Sequence, residues 1–165
     1  MYKHFKPTPQ TIEELKKQYR ELAHKHHPDR GGNVDTMKAV NAEYDVLFPK
    51  LKNTHKSRDG ETYTAKHDND ETPEHFKAII DALMRMDGIT IEIIGCFVWV
   101  TGDTKTNKER LKELRFRWHS KKIAWYLAPE DYRKRSRKDY ALDEIRAMYG
   151  TSGAVNSSGT VKIDA

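Results

Sequence analysis

His27, Pro28 and Asp29 stand together between a basic amphipathic stretch and the glycine pair Gly31-Gly32. An imidazole and a carboxylate on either side of a proline could serve acid–base catalysis or recognition of a cationic partner. Catalysis has little support. His24, His26 and His27 are accompanied by no nucleophile, paired carboxylate or phosphate-cradling loop. Recognition fits the residue types better. Asp29 on a turn offers an ionised carboxylate to a partner arginine, and charge-assisted pairs of that kind are strong. Pro28 fixes the backbone, so the side chains of His27 and Asp29 are expected to be presented to a partner. Lys16, Lys17, Arg20 and Lys25 precede the turn and Arg30 follows it, which raises the encounter rate with an acidic surface more than final affinity. His55, His67 and His75 lack the tight spacing of metal ligands, so neither a metal nor a cofactor is expected.

Two helices must position this turn. Thr11 and Glu14 form a capping box. Ile12, Leu15, Tyr19, Leu22, Ala23 and His26 then recur at three- and four-residue steps as one buried stripe, with the bases expected to face water. Pro28 disfavours helical backbone at His27, so the helix should stop near His26. Asn33 is the cap expected for a second helix carrying Met37, Val40, Tyr44 and Leu47 on one face. The arrangement predicted is an antiparallel helical hairpin with the His-Pro-Asp turn at its apex.

LKKQYRELAHKHHPDRGG followed by MKAVNAEYDVL resembles the J-domain, the chaperone-binding module of DnaJ-type co-chaperones. The resemblance implies that the loop and the basic face of the preceding helix dock on a DnaK-type chaperone and stimulate its ATPase. It assigns His27, Pro28 and Asp29 to the triggering loop, and Lys16, Lys17, Arg20, Lys25 and Arg30 to the docking surface. Tyr19 and Leu22 would hold the helices together. The chain departs from the family before Thr11. MYKHFKPTPQ is too short and proline-broken for the usual first helix, leaving Tyr2 and Phe5 as its remnant.

The 165 residues have room for one ordinary domain or two small ones, and 36% hydrophobic against 33% charged residues leaves neither a large core. The apolar run Ile93 to Val100 is far short of the roughly 20 residues that span a bilayer. With no apolar signal core and a single cysteine, Cys96, the expectation is a cytoplasmic protein without membrane partners. Gly/Phe-rich linkers and C-x-x-C repeats are absent, which points away from a general client-binding DnaJ and towards a specialised recruiter.

Pro49 to Glu71 is polar without a sustained apolar period and reads as a linker. Thr72-Pro73 then starts a helix with Phe76, Ile79, Ile80, Leu83 and Met84 on its buried face. Ile89 to Gly95 and Phe97 to Thr101 read as strands, Lys108 to Leu114 as a helix, Phe116 to Trp118 and Ile123 to Leu127 as a hairpin, and Leu142 to Tyr149 as a final helix. Lys105 to Lys138 concentrates thirteen bases against four acids, although the whole chain is only +5. Arg117, Lys121, Lys122, Arg133, Lys134, Arg135, Arg137 and Lys138, interleaved with Trp118, Trp125, Tyr126 and Tyr132, are candidates for binding nucleic acid or another anion. The competing reading makes the large aromatics core residues. GCFVWVTGDT, LKELRFRW, KKIAWYL and YRKRSRKDYALDEIRAMYG resemble the C-terminal half of short J-domain proteins of Firmicutes and their phages, with Arg115 where that pattern commonly has glycine.

The expected architecture is an all-α J-domain over 1–50, a polar linker over 51–71, a small basic α+β domain over 72–150 and a disordered tail over 151–165. The expected function is that of a non-enzymatic co-chaperone whose C-terminal domain selects a client protein or nucleoprotein complex. The alternative is a nucleic-acid-binding protein that uses the J-module as a chaperone tether or decoy.

Overall fold

A computed structural model describes residues 2–57, 59–66, 71–95, 97–128, 139–149, 154–156 and 161–162. Helices occupy the N-terminal part and a sheet-containing region follows. The chain divides into two compact units, Met1–Met86 and Asp87–Ala165.

In the first unit, α1 spans Ile12–His26 and α2 spans Val34–Leu51. The Thr11 hydroxyl accepts from the Glu14 N–H, and the Asn33 side chain accepts from the Asp35 and Thr36 N–H groups, so both starts are capped as read. Helix α2 runs through Pro49, which falls in its last turn. Tyr19 and Tyr44 meet with ring centroids 4.5 Å apart and seam the two helices. Residues 2–10 form no helix. Phe5 is fully buried with its ring 6.5 Å from that of Tyr44. The Glu43 carboxylate accepts hydrogen bonds from the N–H groups of Lys3, His4 and Phe5 at 2.8–3.3 Å, which straps the segment to α2.

Helix α3, Pro73–Met84, belongs to this unit, contrary to the expected boundary at residue 72. Its capping and apolar face were legible, but periodicity does not say which core a helix joins. The Phe76 ring lies 5.9 Å from that of Tyr19 and stacks 6.0 Å from that of Tyr44, so α3 closes the open side of the hairpin. The expected linker is also partly structured. Strands β1 (Thr54–Lys56) and β2 (Thr62–Thr64) form an antiparallel hairpin. Buried Glu13 of α1 holds it, with Oε1 2.8 Å from His55 Nδ1 and Oε2 accepting from the Lys56 N–H.

The second unit is an antiparallel sheet flanked by short helices. Strands β3 (Ile89–Ile94), β4 (Phe97–Gly102), β5 (Arg117–His119), β6 (Ala124–Leu127), β7 (Ala154–Asn156) and β8 (Val161–Lys162) lie in the order β5-β6-β4-β3-β7-β8. The last two fall within the stretch expected as a disordered tail, whose other residues lie outside the described ones, and β7 pairs with the edge of β3 that β4 leaves open. Helix α4 is Lys108–Glu113 and α5 is Leu142–Tyr149. Ile94, Trp99 and Ala124 form a buried cluster against which Phe97, Tyr126, Leu142 and Ile145 pack. Arg115 has φ 66°, so the turn into Phe116 keeps the left-handed backbone that glycine favours without having glycine.

Candidate functional site in the His-Pro-Asp loop

The loop is built by local bonds. His27 leaves the helix with φ −63° and ψ 132°, as a residue before proline should, and caps a short 3₁₀ turn over Pro28–Arg30. Its carbonyl accepts from the Arg30 N–H at 2.9 Å and the Gly32 N–H at 3.0 Å. Gly31 has φ 77°, and at Gly32 any Cβ would collide with the His26 carbonyl. Both glycines are therefore demanded by the turn.

The side chains do not all project as expected. The His27 residue is only 4% exposed. Its Nδ1 accepts from the Asp29 N–H at 3.2 Å, which leaves Nε2 to donate to Asp81 Oδ1 of α3 at 2.6 Å. Pro28 thus presents one polar neighbour and lets the other fold inward. The Asp29 side chain stays 48% exposed, with Oδ2 3.2 Å from Arg85 Nε. Arg85 also places Nη2 3.1 Å from Asp81 Oδ2, one helical turn away on α3. Arg30 turns back and donates to the carbonyls of Met84 and Met86, satisfying groups at the α3 C-terminus that have no helical partner.

The expected basic face is largely covered. Lys16 is buried, its Nζ 2.8 Å from both carboxylate oxygens of Glu71 and 5.1 Å from the centre of the Phe76 ring. Arg20 is fully buried beside Glu21. A charged group with a long stem goes inside when a partner and an aromatic face are supplied, and for Lys16 the segment around α3 supplies both. Lys17 is half-buried; desolvation first, and then the nearby Lys56, push its ammonium below the usual lysine value. Lys25 remains exposed. Beside the loop an open groove of about 380 Å³ is lined by Pro28, Val34, Met37, Lys38 and Ile80 among others. Asp81 and Arg85 were missed from the sequence. Their four-residue spacing marks a pair on a helix surface, but gives no hint that the pair faces the loop.

In the second unit the expected anion-binding residues separate. Arg117 and Lys121 are exposed. Lys122 is not available as expected, because its side chain is 6% exposed, 2.8 Å from Asp139 and 6.0 Å from the Trp99 ring centre. Arg133, Lys134, Arg135, Arg137, Lys138 and Tyr132 lie outside the described residues. Phe116 and Trp125 are core residues, while Trp118 is exposed on the edge strand β5 with its ring 5.7 Å from that of Trp125. No group of three or more candidate metal ligands is found among the described residues, nor any helix long and apolar enough to cross a membrane.

Comparison with protein-family models, with curated proteins and with solved structures finds no match for this chain.

Proposed function

We propose that the protein is a J-domain co-chaperone whose N-terminal unit engages a DnaK-type chaperone through the His27-Pro28-Asp29 loop and stimulates its ATPase. The observation that carries this reading is the loop itself, a hydrogen-bonded turn at the apex of an antiparallel helical hairpin with the Asp29 carboxylate at the surface. The turn depends on a residue pattern of low chance occurrence, including two glycines that its backbone requires. Chemistry belongs to the partner in this scheme. This chain supplies a carboxylate for an arginine and, through Lys25 and Lys38, positive charge at the rim. The second unit selects the client protein or nucleoprotein complex. Equilibrium binding of the nucleotide-loaded chaperone to the wild type and to Asp29→Asn tests the reading. Binding lost in the variant supports it, and equal binding by both contradicts it.

A second reading is favoured by one observation. Trp118 is exposed on an edge strand that also carries exposed Arg117, with exposed Lys121 in the turn that follows, and exposed rings and bases are what single-stranded nucleic acids use. In that reading the second unit holds nucleic acid and the first tethers the chaperone to it or acts as a decoy. Fluorescence titration with a single-stranded oligonucleotide separates the two: steep loss of affinity with salt, and weakened binding in Trp118→Ala, would favour it.

A further inference from the structure

We propose that Arg85 at the end of α3 is a built-in competitor for the docking carboxylate, occupying Asp29 until a chaperone displaces it. The inference rests on the co-chaperone reading and adds a form of regulation to it. Asp29 is the group that a partner arginine would take. In this structure it is already held by an arginine of the same chain, with Nε at 3.2 Å. The same guanidinium reaches Asp81, and Asp81 in turn holds Nε2 of His27. One short network therefore ties both polar side chains of the loop to one helix end.

The network is built to open locally. Phe76, Ile79, Ile80 and Leu83 are buried, and the ion pairs Glu71–Lys16 and Lys77–Asp45 pin the start and middle of α3 to α1 and α2. Those anchors keep the helix in place. The Arg85 side chain, by contrast, is 61% exposed and its partner Asp29 is 48% exposed. An exposed pair of this kind contributes little to stability, so it can be exchanged for an intermolecular pair without unfolding anything. Docking then replaces Arg85 by the partner's arginine. The affinity of the loop is lowered by the fraction of time that Arg85 occupies the carboxylate.

The variants Arg85→Ala and Arg85→Glu free the Asp29 carboxylate without touching the buried anchors. Two readouts on the full-length protein are needed. The NMR signal of the Asp29 side-chain carboxylate, recorded without any chaperone, should shift in both variants, with the signals of the α1 and α2 core unchanged. An unmoved Asp29 carboxylate signal overturns the latch. Stimulation of single-turnover ATP hydrolysis, titrated with each variant, should reach half-maximum at a concentration lower by about two- to fivefold for Arg85→Ala. The shift should be larger for Arg85→Glu, whose new carboxylate repels Asp29. If the wild type stimulates in an Asp29-dependent way and neither Arg85 variant improves on it, the latch is wrong while the co-chaperone reading stands. If no variant stimulates, the co-chaperone reading fails and the regulatory role falls with it.

Discussion

Replacing Phe76 by alanine should loosen α1 and α2 as much as α3. Phe76 is 2% exposed, contacts the rings of Tyr19 and Tyr44, and carries the Lys16 ammonium over its face. Truncating a buried phenylalanine costs about 3–5 kcal/mol. Aromatic contacts add about 0.5–1.5 kcal/mol beyond area burial, which places Phe76 near the middle of that range or above it. A loss of about 4 kcal/mol multiplies the exchange of globally protected amides by roughly a thousand, at tenfold per 1.4 kcal/mol. A domain stable by about 5–15 kcal/mol would stay folded in most of that range. Native-state hydrogen exchange on the full-length variant reads the result residue by residue. Deprotection of Leu15 to Ala23 and of Val40 to Leu47, alongside Ile79 to Leu83, is the expected outcome. Deprotection confined to α3 would refute its place in the first unit, and with it the physical basis of the loop's attachment.

Two further outcomes follow from other parts of the chain. Arg146 of α5 forms a bidentate pair with Glu92 of β3 at 2.7 and 2.8 Å, and the Glu92 side chain is 4% exposed. Arg146→Met should destabilise the second unit by about 2–3 kcal/mol in denaturant unfolding, with most of the loss recovered in Arg146→Met/Glu92→Gln; full additivity would contradict the pairing argument. Burial pushes the Glu43 carboxyl up, but the N–H groups of His4, Lys3 and Phe5 together outweigh it and hold its pKa below the ordinary 4.5. The folded state thus binds its proton less readily than the unfolded chain. The strap's stabilisation is full above the ordinary value and is lost as pH falls through the depressed one. An NMR titration should show the Phe5 ring leaving Tyr44 on acidification, and Glu43→Gln should show a weakened strap already at neutral pH. A strap insensitive to both changes would exclude Glu43 as its anchor.

The parts of this fold that rest on local rules were legible in the sequence. Thr11, Asn33 and Thr72 cap the helices as their residue types predict, and the break at His27 follows from Pro28. What depended on long-range partners was not legible. Lys16 and Arg20 read as solvated bases because such residues are seldom buried; only Glu71 and Phe76, more than fifty residues on, take Lys16 inside. The same limit hid α3, whose apolar face announces burial without naming the core it joins. It also hid β7, a strand that forms by backbone pairing to β3 in a Gly/Ser-rich stretch with little side-chain pattern. At the site, the loop residues were found by motif and Gly31-Gly32 by their turn chemistry. The inward turn of His27 and the grip of Asp81 and Arg85 came only from the tertiary structure.

Single-turnover ATP hydrolysis by a cognate DnaK-type chaperone, with the wild type and with Asp29→Asn, tests the central claim most directly. The side chain of Asp29 is half exposed, so the substitution removes the charge proposed to dock while leaving the buried packing in place. Stimulation by the wild type that disappears in the variant is the predicted result. Absence of stimulation by the folded wild type, or equal stimulation by both proteins, would contradict the account.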